Sequence, residues 1–122
     1  MGGSDRPPGR VVAVLRDLFF IARIRETARL CGVPVDVART PEELAAALAA
    51  PAQLVILDLT GPLDHARVFD AVAAAGGPPV LGFTTHALAR ETQPWHARCA
   101  RVVTKETLTR ELPALLREGA PA

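Results

Sequence analysis

Five short apolar runs alternate with five segments of helical periodicity along this chain. Val11 to Leu15 (VVAVL) is unbroken by polar residues and mostly β-branched, as a strand covered on both faces is. Asp17 to Leu30 follows, with Leu18, Ile21, Ile24 and Ala28 near a 3.6-residue period and Arg23, Arg25, Glu26 and Arg29 on the wet side. Gly32 suits the stop of that helix, and Pro34 forbids its continuation. Val35 to Ala38 is a short second strand. Thr40, Pro41, Glu42 and Glu43 then supply an N-cap, a first-turn proline and two acids over the positive helix end. The helix they open, EELAAALAA, is expected to stop at Pro51. Leu54 to Leu57 is the most hydrophobic strand and therefore central. Pro62 opens a third helix that runs through Val68 and Val72 to Gly76 and Gly77. Pro79 to Phe83 is the fourth strand, and a helical stretch from Ala87 to Arg98 is broken by Pro94. Arg101 to Thr104 is the fifth strand, and Glu106 to Glu118 the last helix, with Pro113 as its weak point.

Strand and helix repeated five times with short connections predict an α/β fold, a doubly wound parallel sheet with helices on both faces. Residues 10–118 form the one domain that 122 residues support, with 1–9 as a flexible lead-in and 119–122 as a frayed tail. With 49% hydrophobic residues the chain has the apolar content of a folded domain. A net charge of +1 and 4% aromatics give no footprint for nucleic acid and few platforms for stacking bases. No apolar run is long enough to span a membrane. Cys31 and Cys99 stand 68 positions apart with no ligand motif, so they read as buried reduced thiols of a cytoplasmic protein. The polar start, MGGSDRPPGR, is unlike a secretory leader. His65, His86 and His96 lack metal-ligand spacing, and Gly76-Gly77 lacks the strand–glycine–helix order of a phosphate loop.

In sheets of this kind chemistry gathers at the carboxyl ends of the strands. Those ends carry Arg16 and Asp17; Asp58, Thr60 and Pro62; Thr84, Thr85 and His86; and Thr104 and Lys105. Across roughly residues 10–118 the chain here resembles the receiver domain of two-component response regulators. LVILDLTGP resembles the phosphoacceptor segment, VLGFTTHA the fourth strand with its switch hydroxyl, and VVTKETL the fifth strand with its lysine. The intervals, 26 residues from Asp58 to Thr84 and 21 on to Lys105, are close to the family's. The resemblance implies a flavodoxin-like strand order of 2-1-3-4-5 with five helices. It makes Asp58 the phosphoacceptor equivalent, Thr84 the switch hydroxyl and Lys105, the one lysine of the chain, the site lysine.

Two departures from the family pattern matter. Receivers carry an acidic pair at the end of the first strand, and counting back from Asp58 puts that pair on about Leu15 and Arg16, with Asp17 next along. The lysine is followed by Glu106 where the family has proline, and Val102 stands at the aromatic switch position. A carboxylate that attacks a phosphoryl group needs a cation to offset the charge between them, and magnesium wants carboxylate ligands. Arg16 and Lys105 are therefore expected to bracket Asp58 and fill the cation site without metal. The expected function is that of a stand-alone pseudo-receiver that signals by protein–protein contact and uses no cofactor. The alternative is an active single-domain response regulator, phosphorylated on Asp58 with Mg2+ on Asp17 and Asp58.

A second alternative is a STAS-like anti-sigma-factor antagonist, because LVILDLTGPLDHA is similar to that family's central segment. It would require an initial antiparallel hairpin, which the strand–helix–strand pattern of the first 40 residues does not fit. No other enzyme class has a supporting constellation; Ser4, for example, is far from any nucleophile elbow. Four consecutive apolar residues from Leu18 to Ile21 must point partly outward on a helix; burial at the helix–sheet junction is the first reading, and closure of the site mouth or a partner surface for Phe19 or Phe20 the second. The resemblance makes Trp95 and Val102 candidate contacts for a homodimer through the helix 4–strand 5–helix 5 face, although core packing is the first reading for Trp95. Arg23, Arg25 and Arg29 read as a solvated stripe or as a dock for an acidic partner.

Overall fold

A computed structural model describes residues 9–118; the expected lead-in, Gly9 apart, and the tail at 119–122 lie outside them. Ten elements alternate in sequence. They are β1 (Val11–Val14), α1 (Leu18–Cys31), β2 (Val35–Ala38), α2 (Pro41–Ala47) and β3 (Leu54–Asp58), then α3 (His65–Ala74), β4 (Val80–Thr84), α4 (Ala89–His96), β5 (Arg101–Thr104) and α5 (Lys105–Glu118). All strand pairs are parallel and the order is β2-β1-β3-β4-β5. The doubly wound sheet expected from the sequence is thus observed. The parallel β1–β2 pair removes the STAS-like alternative, which needs an antiparallel start.

Alternate residues of each buried strand feed two separate cores, because successive side chains point to opposite faces. Val11, Ala13, Leu15, Ile56 and Leu81 pack with Ile24 of α1 and Leu108, Leu112 and Leu116 of α5. Val12, Val14, Val55 and Leu57 pack instead with Leu44 of α2 and Val68, Phe69 and Val72 of α3. Phe20 meets Phe83 edge-on, with ring centroids 5.3 Å apart, and so closes the first core at its upper rim. Strand order reverses between β1 and β3, so the crevice of the fold opens beside Leu15 and Asp58.

At Gly82, in the middle of β4, a Cβ would lie 2.9 Å from both the Cys99 Sγ and a Leu59 methyl, so any larger residue would force one of those side chains to move. Cys99 fills that space, and burial pushes its thiol up to about 11. Cys31 and Cys99 are both free thiols, each half-buried rather than fully enclosed as expected.

Several boundaries differ from the sequence reading for local reasons. α1 begins one residue later because Asp17 is its N-cap, and α5 already starts at Lys105. α2 stops at Ala47 rather than Pro51, since Leu48 leaves the helical region with ψ near 3°. The largest shift is at α3, which begins at His65 and not at Pro62. There Asp58 accepts from the Thr60 and Gly61 amides, the Leu63 amide bonds to Gly61, and Asp64 caps the helix through the Arg67 amide. Pro94 lies inside α4 and Pro113 inside α5. Among the described residues no helix is long and apolar enough to cross a membrane.

Candidate functional site

β1, β3, β4 and β5 end at one edge of the sheet, and their loops bring together the polar groups expected there. Asp58 closes β3 and is buried, 6% exposed. Its Oδ1 accepts three hydrogen bonds, from the Thr60 amide at 2.8 Å, the Thr60 hydroxyl at 2.6 Å and the Gly61 amide at 3.1 Å. This is the Asx-type turn that a short carboxylate makes with the residues just after it. The Oδ2 atom accepts no bond among the described residues. A Cβ on Gly61 would stand 3.1 Å from it, so glycine there leaves this oxygen uncovered. The main-chain carbonyl of Asp58 accepts from His65 Nε2 at 2.9 Å, which fixes the proton on that nitrogen. His65 in turn packs against Trp95, ring centroids 5.7 Å apart.

The cations lie elsewhere than expected. Lys105 Nζ donates to Asp17 Oδ2 at 3.1 Å and sits 4.8 Å from the centre of the Phe20 ring. Asp17 Oδ1 meanwhile accepts from the Phe19 amide at 3.0 Å and the Phe20 amide at 3.2 Å, the N-cap bonds of α1. Its carboxyl is held below the usual 3.8, first by the Phe20 amide and next by the Lys105 ammonium. Arg16 is exposed and forms no ion pair among the described residues. The expected bracket of Arg16 and Lys105 around Asp58 is therefore corrected. The chain turns outward after the buried Leu15, which carries Arg16 to solvent, while Asp17 folds back to cap α1 and takes the lysine.

Thr84 is buried at the end of β4, and its hydroxyl lies 3.0 Å from that of Thr92 on α4. Thr92 is 2.8 Å from His96 Nε2 and also donates to the Ala89 carbonyl, so a short polar relay ties the strand to α4. Thr85 accepts from the Leu88 amide and so shapes the loop before α4. Thr104 accepts from the Thr107 amide at the start of α5.

The expected contact residues divide. Phe19 is 91% exposed, but Phe20 is 4% exposed and belongs to the core, so its place on a partner surface is corrected: its ring is held between Phe83 and Lys105. Trp95 is half-buried and stacks on Phe69, and Val102 is half-buried in the same cluster. Sequence reasoning passed over the part played by His65, Thr92 and His96. The i, i+4 spacing of Thr92 and His96 on one helix face was the available signal.

No family model matches the chain, and no curated protein matches it. Solved structures do. The chemotaxis response regulator CheY4 of Vibrio cholerae is 24% identical, covering 89% of this chain and 99% of that one with a TM-score of 0.67. The receiver domain of a sensor histidine kinase from Pseudomonas aeruginosa, with magnesium coordinated in its active-site cleft, is 18% identical; 89% of this chain and 94% of that one align with a TM-score of 0.72. A response regulator receiver domain protein from Clostridium thermocellum is 12% identical over 91% of this chain and 93% of that one, with a TM-score of 0.72. The chain has the receiver-domain fold.

The donor set of this edge does not fit a magnesium ion. Leu15 at the end of β1 is buried and apolar, and the Asp17 carboxylate already accepts from Lys105 and from the Phe19 and Phe20 amides. Among the described residues no three His, Cys, Asp or Glu side chains gather as metal ligands.

Proposed function

We propose that this chain is a pseudo-receiver, a signalling domain that works through protein–protein contact and is not phosphorylated by the magnesium-dependent route. The observation that carries the reading is the Lys105–Asp17 ion pair. In it the lysine neutralises the Asp17 carboxylate, and it joins the starts of α1 and α5 across 88 residues of sequence. A cation built into the fold in this way supports one fixed state of the edge rather than a metal-gated pair of states. Trp95 and Val102 pack half-buried against the second core, and the part of each left exposed on the α4–β5–α5 face would meet a second copy of the chain; the two free thiols support a cytoplasmic setting.

One observation favours the rival, an active receiver: the second oxygen of Asp58 is uncovered. Incubation with magnesium and a small acyl phosphate, followed by intact-mass measurement, separates the two. The expected result is an unmodified chain. A phosphoryl adduct that disappears in Asp58→Asn would overturn the pseudo-receiver reading.

A further inference from the structure

A hollow of about 1030 Å³ opens between α1 and α5, beside the Lys105–Asp17 pair, and Asp58 does not line it. Its apolar wall is the ring of Phe19, 91% exposed, with Phe20 and Ala22 next to it. Five charged side chains line it: the acids Asp17, Glu26 and Glu106, and the bases Arg23 and Lys105. Three of them are already paired. Asp17 holds Lys105 at 3.1 Å, and Glu26 holds Arg29, which lies outside the hollow, at 2.6 Å. Arg23 on α1 and Glu106 in the first turn of α5 are exposed and have no ion pair among the described residues. The hollow therefore offers one free cation on its α1 wall and one free anion on its α5 wall.

The hydroxyls sharpen that asymmetry. Thr104 gives its proton to Thr107 and Thr109 gives its own to the Lys105 carbonyl, so both offer the hollow oxygen lone pairs. Glu106 and Thr109 stand three apart on α5 and share a face, which makes that wall a place for a donor cation. The Arg23 guanidinium on the facing wall is fitted to a carboxylate. With three acids against two bases in the lining, a simple anion is disfavoured, and a simple amine would leave Arg23 unused. The volume is at the top of the range for small-molecule pockets, roughly 300–1,000 Å³, and so exceeds the need of a single amino acid.

We propose that this hollow binds a small amphipathic zwitterion of di- or tripeptide size. Its carboxylate meets Arg23, its ammonium meets Glu106 and Thr109, and an aromatic side chain lies on the Phe19 ring. The inference goes beyond the interaction reading and does not depend on it. A ligand here touches the pair that joins α1 to α5, which gives this edge a chemical input other than a phosphoryl group.

The test titrates the full isotope-labelled chain with the dipeptide leucyl-phenylalanine, its N-acetyl form and its C-terminal amide. The expected result is amide shifts over residues 19–27 and 104–109, with either cap weakening binding by about threefold or more. Arg23→Gln should weaken the free dipeptide by the same factor and leave the amide form unaffected, since its carboxylate is already gone. Glu106→Gln should do likewise against the acetyl form, and Phe19→Ser should weaken all three. These side chains are exposed, so the variants keep the melting temperature of the native chain. Absence of shifts up to about 10 mM, binding indifferent to both caps, or cap effects that persist in the matching variants would overturn the proposal. So would phenethylamine or phenylpropionate binding as tightly as the dipeptide, or shifts confined to α4 and β5. The two readings fail separately. A phosphoryl adduct on Asp58 removes the pseudo-receiver and leaves this site, while lost dipeptide binding with an unmodified Asp58 does the reverse.

Discussion

Against α1 and α5 the sheet presents apolar side chains, whereas against α4 it presents Thr84, whose hydroxyl needs a partner. The first interface is built from Ile24, Leu108, Leu112 and Leu116 against Val11, Ala13, Leu15 and Ile56, and it spans two helices of fourteen residues each. α4 has eight residues, buries Thr92 alone, and contains a proline whose missing N–H leaves the Arg90 carbonyl without its helical donor. What holds α4 is a hydroxyl relay and the stacking of Trp95 on Phe69. α1 and α5 are thus secured by area removed from water, whereas α4 depends on a few oriented contacts, the mark of an element that opens before the rest.

The sharpest way to break that comparison is to damage each side and ask how far the damage spreads. Ile24→Ala should cost about 2–5 kcal/mol and lower the urea midpoint of the whole domain with an unchanged m value. Thr92→Val should cost about 1–3 kcal/mol, because it removes the hydroxyl that both Thr84 and His96 use and leaves Thr84 only a long contact with the Thr85 carbonyl. Amide exchange should show that loss concentrated in α4. Equal global destabilisation by the two variants would erase the difference between the α1–α5 packing and the hold on α4.

Asp17 then separates capping from charge. Asp17→Ala removes both and should cost about 1 kcal/mol of thermal stability. Asp17→Asn keeps an N-cap oxygen and loses only the pairing with Lys105, a half-exposed contact worth a few tenths of a kcal/mol, roughly, at moderate salt. The pH dependence has a definite sign. A carboxyl held below 3.8 in the folded state adds stability above its unfolded value, and loses it as pH falls through the folded one. The advantage of the native chain over Asp17→Asn, read by melting curves, should therefore be full above about pH 5 and fade toward pH 3. An advantage that grew on acidification would place the charge in a different partnership.

The order of strands and helices was legible because each strand is a continuous apolar run and most helices carry caps or breakers at their ends. The Thr40-Pro41 start and the Gly32 stop, with φ near 69°, are observed where the residues place them. The start of α3 was not legible, since Pro62 looks like a first-turn residue until the amides of Thr60 and Gly61 are spent on Asp58. Nor was the partner of Lys105. Whether it meets Asp58 or Asp17 depends on how the chain turns after Leu15, a matter of one residue of register between elements 88 residues apart. Arg16 and Asp17 are adjacent, yet one faces water and the other caps a helix, and no periodicity distinguishes them beforehand.

Because Gly82 admits the Cys99 sulfur against the middle of the sheet, the two thiols of the chain differ in chemistry. The reactive form of a cysteine is the thiolate, and a thiol titrating at about 11 holds almost none of it at neutral pH. A maleimide dye therefore goes to Cys31, at the last residue of α1 and about 18 Å along the helix from Phe19. The native sequence thus accepts a single fluorophore, positioned to report on what settles over the other end of that helix, with no cysteine removed.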